Sequence, residues 1–275
     1  MKIALCNEVI RDMPFAEQCE FAAALGYDGL ELAPFTVSDA PHVMPSADRA
    51  ALRQAASNAG IAITSLHWLL LAPEGLSLTS SDAAVRARTV DVMKRLVELC
   101  HDLGGSAMVH GSPAQRMLPD HDAEAARCWA VDAFAQVAPN AEAAGVAYCI
   151  EALSTQETNF ITSLSEAAAI VDAIASPALR TMLDTCAAGK SEAESPENLI
   201  DRWLPSGHIA HVQVNDSNHR GPGQGAQVFS PVFAALRRNG YRGVVAVEPF
   251  EYIPDGPAAA ARAIGYIRGI LEGLA

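Results

Sequence analysis

Eight ionisable side chains stand at or near the ends of short apolar runs that are spread along the whole chain. They are Glu8, Glu31, His67, His110, Glu151, Asp184, His211 and Glu248. A single carboxylate in such a position is often a solvated loop residue, and a single histidine is more often a hydrogen-bonded core residue than a ligand. Eight groups in the same position, each after apolar residues, predict that they meet in one crowded polar site.

The last four of these groups form a set that suits a divalent metal. They are Glu151, Asp184, His211 and Glu248. Three converging carboxylates without a cation would repel one another and raise at least one pKa, and a divalent ion removes that cost. Three oxygens with one imidazole suit Mn²⁺, Mg²⁺ or Co²⁺, and zinc is a further candidate. The alternative for each carboxylate is an ion pair, for which Arg116 and Arg220 are the nearest obvious basic residues.

The apolar runs themselves are predicted strands of a single parallel sheet. The predicted strands are Ile3–Asn7, Asp28–Leu32, Ile61–His67, Ser106–His110, Val146–Glu151, Leu179–Asp184, Ile209–Asn215 and Gly243–Glu248. Their C-terminal ends are about 34 residues apart on average, close to one βαβ repeat. Continuous apolar runs such as Gly243–Val247 are typical of a parallel sheet covered by helices.

Helix signals fall between these strands. Pro14 and Gly26 bracket the first predicted helix, Ser81-Asp82 and Gly104 bracket the third, and residues 257–274 are predicted to form the eighth. An open doubly wound sheet would usually carry a glycine-rich phosphate loop after its first strand, where this chain has Cys6-Asn7-Glu8. We therefore predict an α/β fold, a single-domain (β/α)₈ TIM barrel over residues 1–275, which places functional groups at the C-terminal ends of its strands.

Composition excludes several classes of partner. The net charge is −13, from 19 basic and 32 acidic residues, so a nucleic acid or a membrane surface is not expected to bind. The six cysteines contain no Cys-x-x-Cys pair and are predicted to be buried, reduced thiols. The first residues lack a signal-peptide pattern, and no apolar stretch is long enough to span a bilayer. These features predict a cytoplasmic protein.

The strand-end phrases also resemble those of a known family. They are Gly29-Leu30-Glu31-Leu32-Ala33-Pro34, Ile150-Glu151, Leu183-Asp184-Thr185, His211-Val212-Gln213, Gly221-Pro222-Gly223-Gln224-Gly225 and Val247-Glu248-Pro249-Phe250. In this order, over nearly the whole chain, they resemble the xylose isomerase-like superfamily of sugar isomerases and epimerases. The ketose 3-epimerases and hydroxypyruvate isomerases look most similar.

The resemblance implies a chemistry for the four metal-type residues. It implies that Glu151, Asp184, His211 and Glu248 hold a divalent metal and that Glu151 and Glu248 also act as acid and base on opposite faces of the substrate. The substrate would be a small keto sugar or hydroxy-keto compound that reacts through a metal-stabilised enediolate. The resemblance further implies a homo-oligomer, because relatives are commonly dimers or tetramers.

The resemblance also suggests which residues contact the substrate. Glu157 and Arg220 resemble residues that bind its terminal oxygens, and Asp216 belongs to the same motif as Arg220. His67 and His110 are predicted to line the pocket, with Glu31 on the same substrate wall. Arg116, in a loop that recurs in the superfamily, is either part of this site or a surface ion-pair residue.

One position departs from the family pattern and leaves the substrate open. Ketose 3-epimerases of the tagatose type usually have a histidine three residues after the metal-binding aspartate, and this chain has Ala187 there. A shorter keto sugar, or an acidic compound whose carboxylate or phosphate meets Arg116 or Arg220, remains an alternative. So do a metal-dependent lyase of the keto-inositol dehydratase type and a non-catalytic sugar-binding barrel. An endonuclease IV-type nuclease would need more histidines and a basic groove.

Overall fold

The computed structural model describes residues 1–274, and within them eight parallel strands close into a barrel in chain order. The strands are β1 Lys2–Cys6, β2 Gly29–Leu32, β3 Ala62–Leu66, β4 Ala107–His110, β5 Ala147–Glu151, β6 Leu179–Asp184, β7 Ile209–Val214 and β8 Val244–Val247. Strand β1 pairs with β2 on one side and with β8 on the other, which closes the ring. The predicted TIM barrel is confirmed, and every predicted strand end lies within one residue of the observed one.

Helices form the layer outside the strands. They are α1 Phe15–Leu25, α2 Ser46–Asn58, α3 Ala83–Leu103, α4 Pro113–Arg116, α5 Ala123–Ala144, α6 Leu164–Ile174, α7 Thr185–Ser191, α8 Pro196–Trp203, α9 Ser230–Arg238 and α10 Gly256–Gly273. The Asp82 side chain caps α3 by accepting a hydrogen bond from Ala84 N at 2.8 Å, and Gly104 ends it with a φ of 87°. That left-handed conformation favours glycine, which explains the stop signal in the sequence.

Short helices α4 and α7 were not predicted, and both lie beside the ends of strands that carry ionisable groups. Helix α7 follows β6 with no intervening loop, because the Asp184 side chain caps it through Ala187 N at 2.6 Å. An aspartate that ends a strand and caps the next helix has a fixed orientation. The two elements therefore hold Asp184 in place.

The strands are buried on both faces, as their sequences predict. All residues of β2 and β4 are buried, and the apolar side chains join one large core with the inner faces of the helices. All six cysteines are free thiols, and five are buried, but Cys128 on α5 is exposed, so the prediction of buried thiols is wrong at that position. Among residues 1–274, no helix is both long enough and apolar enough to cross a membrane.

Candidate active site

A cavity of about 270 Å³ opens at the C-terminal ends of the strands. Its lining is made of His67, Trp68, Val109, Gly111, Ser112, Pro113, Glu151, Leu153, Glu157, His219, Glu248 and Phe250. A larger groove, of about 800 Å³, lies on the outer helices between α5 and the end of α6, and no histidine lines it. The smaller cavity is the candidate site, because it is concave, mostly apolar and holds several ionisable groups, as small-molecule sites usually do.

Glu151 ends β5, Glu248 follows β8, and both carboxylates face this cavity. Burial raises the pKa of Glu151 well above its usual value, and the charges of Glu248 and Asp184 raise it further. Burial also raises the pKa of Glu248 to about 8, although its hydrogen bond from His67 opposes the shift. The three carboxylates therefore converge closely enough to oppose one another's ionisation.

Gly111 allows Glu151 to take this position. A Cβ atom added at residue 111 would collide with Oε2 of Glu151. The glycine is thus required by close approach of a side chain, and not by an unusual backbone angle. Arg116 supports the same strand end from behind, since its guanidinium donates to the backbone carbonyl of Glu151 at 2.7 Å.

Arg116 is completely buried, so its interpretation as a surface ion-pair residue is wrong. Its other hydrogen bonds, both at 3.4 Å, go to the backbone carbonyls of His110 and Ile161. Burial lowers the pKa of Arg116 to about 10, which still leaves the side chain charged at neutral pH. Arg116 therefore ties the β4 and β5 ends to the loop before α6 and does not line the cavity.

Asp184 offers an oxygen without a partner. Its Oδ1 caps α7, whereas its Oδ2 is buried and has no hydrogen-bond partner among residues 1–274. Burial raises the pKa of Asp184 to about 7. A buried carboxylate oxygen left unpaired, beside two further carboxylates, is the environment that a divalent cation stabilises. The residues present thus fit a metal ion of the predicted hard type.

His211, the fourth predicted ligand, contacts a buried network below the cavity. Its Nε2 lies 2.7 Å from Oε2 of Glu31, although the angles are not those of a hydrogen bond. Glu31 also accepts a hydrogen bond from Gln213 Nε2 at 2.7 Å and one from the Ser65 hydroxyl. Burial raises the pKa of Glu31, but the charges of His211 and His67 and the hydrogen bond from Ser65 outweigh burial and hold the pKa below its usual value. Glu31 does not line the cavity.

His67 joins two carboxylates through opposite edges of its ring. Its Nδ1 lies 2.9 Å from Glu248 Oε1, and its Nε2 lies 3.0 Å from Glu8 Oε2. The imidazole is almost completely buried, and His67 is part of the cavity lining. Cys6, Glu8, His67 and Glu248 form the compact group of metal-type side chains in the described part of the chain, with one ligand atom of each within 4.8 Å of the others. The four predicted ligands do not form such a compact group there.

His110 lies on the other side of its strand. Its Nδ1 is 2.7 Å from the Tyr148 hydroxyl, and its ring meets the edge of Phe134 on α5 at a centroid distance of 5.1 Å. Its neighbours Val109 and Gly111 line the cavity instead. Alternation along a strand turns residues 109 and 111 to one face and residue 110 to the other. The structure thus places His110 against the helix layer and outside the predicted pocket wall.

The remaining predicted contacts are divided between the cavity and a neighbouring loop. Glu157 lines the cavity, and its Oε2 accepts a hydrogen bond from the Ser154 hydroxyl at 2.6 Å. Asp216 instead organises its own loop by accepting from Gln227 N at 2.8 Å. Arg220 lies outside the lining, with its Nε 3.4 Å from Glu251 Oε2. Their roles in substrate binding stay predictions.

Three aromatic residues of the cavity were missed by the sequence analysis. Trp68, His219 and Phe250, called the aromatic rim below, meet edge to face, with centroid distances of 6.3 Å for Trp68–Phe250 and 5.9 Å for His219–Phe250. Trp68 and His219 both have positive φ, at 52° and 66°, a conformation that costs free energy in residues other than glycine. The available signal was position, because Trp68 and Phe250 closely follow the predicted strand ends at His67 and Glu248.

Asn215 was also missed as an organiser of the site. Its Nδ2 donates to the backbone carbonyl of Glu248 at 2.9 Å, and its Oδ1 accepts from Cys186 N at 3.1 Å. It therefore joins the ends of β6, β7 and β8, which carry Asp184, His211 and Glu248. The sequence analysis gave Asn215 only as the end of a predicted strand and did not indicate these bonds.

Comparison with known proteins supports the fold and identifies similar sequences. A family model described as "Xylose isomerase-like TIM barrel" matches residues 19–270. D-psicose 3-epimerase of Agrobacterium fabrum is 28% identical over 245 residues, which cover 86% of this chain and 79% of that protein. L-ribulose 3-epimerase of Mesorhizobium japonicum is 30% identical over 177 residues, 63% of this chain and 58% of that protein. A crystal structure of D-psicose 3-epimerase in the presence of D-fructose superposes with a TM-score of 0.83 at 23% identity, covering 98% of this chain and 99% of that one.

Proposed function

Because this chain belongs to the xylose isomerase-like TIM barrel family, we propose that it is a divalent-metal-dependent epimerase or isomerase of a small keto sugar. The observation that carries this proposal is the pair Glu151 and Glu248, two buried glutamates on the wall of one cavity. Similarity to D-psicose and L-ribulose 3-epimerases supports the same class of reaction.

Four side chains are proposed to hold the metal. They are Glu151, Asp184, His211 and Glu248, and the unpaired Oδ2 of Asp184 is the strongest local support. A histidine that binds a metal usually gives its second ring N–H to a carboxylate, and the contact of His211 Nε2 with Glu31 leaves Nδ1 for the ion. A divalent ion at this position would polarise the carbonyl and adjacent hydroxyl of the sugar and so acidify the hydrogen on the carbon between them.

The two glutamates are proposed to move that proton. This needs one glutamate ionised as the base and the other protonated as the acid, and both line the same cavity. In an epimerisation, one glutamate removes the proton from one face of the carbon and the other supplies a proton to the opposite face. In an aldose–ketose isomerisation, the proton returns to the adjacent carbon.

The other cavity residues are proposed to bind and enclose the sugar. Glu157 is proposed to accept hydrogen bonds from distant hydroxyl groups, and its place in the cavity lining supports this role. The aromatic rim lines the cavity, and its rings would limit the access of water to bound substrate, which strengthens the electrostatic interactions inside. Ala187 offers no side-chain hydrogen bond to the substrate, so the cavity recognises it with fewer polar groups than the tagatose-type pattern would supply.

Deuterium exchange with a panel of candidate substrates tests this proposal. Metal-loaded protein is incubated in deuterated water with free ketoses, keto acids and their phosphates, and products are identified by NMR. We expect deuterium at one carbon of a free ketose, with a new epimer or isomer of the same mass apart from the isotope. Loss of water from the substrate would indicate the lyase instead. No exchange with any compound, from protein shown to contain metal, would contradict the proposal.

A further inference from the structure

We propose that His67, braced by Glu8, is a positioning residue that holds the carboxylate of Glu248 and makes the two catalytic glutamates unequal. This inference rests on the proposed function, in which Glu248 and Glu151 serve opposite faces of the substrate. It assigns to His67 a role different from the substrate contact that the sequence suggested. It also gives a specific role to Glu8, which the sequence analysis predicted only as a member of the polar site.

The first support is the geometry of the chain of three side chains. Glu8 Oε2, the two ring nitrogens of His67 and Glu248 Oε1 are joined by contacts of 3.0 and 2.9 Å. Both ring nitrogens are therefore engaged, and neither is left to bind a substrate. One oxygen of Glu248 is fixed by His67, while Glu248 itself still lines the cavity.

The second support is the rigidity of the elements that carry these groups. His67 N donates to Leu32 O at 3.1 Å and Glu248 N donates to Val214 O at 3.3 Å, so both residues extend the strand pairing by one position. Glu8 lies in the single-turn 3₁₀ helix Asn7–Ile10, directly after β1. All three side chains are buried, so water does not compete for their hydrogen bonds. Groups held on strands and locked by buried partners keep a reactive geometry well.

The third support is the contrast with Glu151. Among residues 1–274, no side chain donates a hydrogen bond to the carboxylate of Glu151, and Arg116 bonds only its backbone carbonyl. Glu151 is confined by packing against Gly111, whereas Glu248 is held by a hydrogen-bonded partner. The two glutamates share a cavity but differ in how firmly their oxygens are directed.

A second metal site is the competing explanation for the cluster of Cys6, Glu8, His67 and Glu248. An ion would need one nitrogen of His67 and the carboxylates on the same side of the ring. The structure has Glu8 at Nε2 and Glu248 at Nδ1, at opposite edges of the imidazole. These two contacts have the lengths of hydrogen bonds, although one ligand atom of each of the four residues also lies within 4.8 Å of the others, and the metal content of the His67 variants distinguishes the two explanations. We favour positioning on the basis of these contacts.

Directional deuterium exchange in metal-loaded protein tests the inference. In His67→Leu, we expect proton transfer on the Glu248 face to fall about 10²-fold, as for a misdirected catalytic group. The rate of exchange on the Glu151 face should change by less than about threefold. The ratio of deuterium uptake in recovered substrate to epimer formation should therefore rise. The loss should lie in kcat and not in KM. His67→Asn should recover much of the rate, because its amide can replace Nδ1 as donor to Glu248.

Two further variants complete the set. Glu8→Gln keeps the shape of the Glu8 side chain and alters its hydrogen bond with His67 Nε2. We expect the same directional effect on exchange as in His67→Leu, but a smaller one. This variant also tests the inference if His67→Leu does not fold. His208→Leu breaks a histidine–aspartate contact of 2.9 Å on the far surface and should leave both directions unchanged. Equal loss in both directions for the His67 and Glu8 variants would overturn the inference alone.

A measurement without substrate separates this inference from the proposed function. The protein is loaded with diamagnetic Mg²⁺, and the NMR signals of the two ring nitrogens of His67 are assigned as those that are absent from the spectrum of His67→Asn. Glu8→Gln should shift one signal and Glu248→Gln the other, and the metal content should equal that of the parent in every His67 and Glu8 variant. Unresponsive ring signals, or loss of a second bound ion in His67→Asn, would overturn the inference. Responsive signals without deuterium uptake from any sugar would overturn the proposed function and the catalytic role with it.

Discussion

Glu151 and Glu248 are the two buried carboxylates that we propose for acid–base catalysis, and their surroundings change how readily each loses its proton. Both are almost completely buried, and burial is the main cause of their raised pKa values. The carboxyl group of a solvated glutamate loses its proton near pH 4 and is a poor acid–base catalyst at neutral pH. The free energy cost of burying these groups is therefore tied to the reaction they are proposed to perform.

Replacing either glutamate by glutamine should remove proton transfer and keep the shape of the cavity. We expect Glu151→Gln and Glu248→Gln each to lower kcat by about 10²- to 10⁴-fold, the usual contribution of a general acid or base. Steady-state kinetics and circular dichroism check activity and fold. Glu142→Gln, on the exposed surface of α5, is the matched control. Full turnover in either active-site variant would reassign its role.

The metal-free protein should become less stable as the pH rises. Asp184 and Glu248 have folded-state pKa values of about 7 and about 8, above the value near 4 that carboxyl groups have in an unfolded chain. The folded state therefore binds more protons than the unfolded state between these limits, so the free energy of unfolding falls as the pH rises through them. In chelator-treated protein, Tm should be lower at pH 8 than at pH 6.

Added Mn²⁺ should reverse this trend, because an ion neutralises the same carboxylates. The rise in Tm on adding Mn²⁺ should be larger at pH 8 than at pH 6. Asp184→Asn removes one of the charges and should reduce both effects. A metal-free Tm that increases from pH 6 to pH 8 would contradict the expected convergence of carboxylates.

At the scale of elements, the turns after the strands decide which side chains enter the cavity. Gly111 follows β4 and leaves the space that the Glu151 carboxylate fills. The side chain of Asp184 is oriented by the hydrogen bond that it accepts from Ala187 N, which caps α7. A side chain at residue 111 would force either its own backbone or the carboxylate of Glu151 to move, and both are buried. Close packing offers little room for such movement.

Gly111→Ala should therefore displace Glu151 and lower activity about 10²-fold with little change in secondary structure. Activity and circular dichroism are measured on the same preparation. Gly269→Ala, in α10, is the control, because no atom of residues 1–274 outside this helix's own backbone lies within 4 Å of the added Cβ and alanine favours the helix. Unchanged activity in Gly111→Ala would show that Glu151 can act from another position.

The strands, several helices and part of the candidate site could be predicted from the sequence. Strand ends were predictable because continuous apolar runs stop at ionisable residues, and the glycine at 104 marks a helix end. The two-residue alternation puts His110 on the opposite face of β4 from Val109 and Gly111, but the pattern alone did not tell which face is inside, and the predicted place of His110 in the pocket wall is not the observed one. Several contacts of the site join residues that are far apart in the chain, 33 positions for Asn215–Glu248 and 181 for His67–Glu248, and only the closed ring brings these residues together.

At the scale of the whole molecule, we expect the chain to associate with copies of itself. The family resemblance predicts a homo-oligomer, and the chain mass is 28.9 kDa. Sedimentation velocity of the metal-loaded protein should therefore give a species of at least twice that mass. A single species of the chain mass at all concentrations would contradict the prediction.

The pairing of β1 with β8 has a consequence for how activity is acquired. Glu8 follows the first strand and Glu248 follows the last, and Leu5 and Val247 are partners in the pairing that closes the ring. A growing or refolding chain can form most of its helices and strands before this closure, but it cannot bring His67 between the two carboxylates. During refolding, turnover should thus return later than helical content. The time at which turnover returns would then report when β1 pairs with β8.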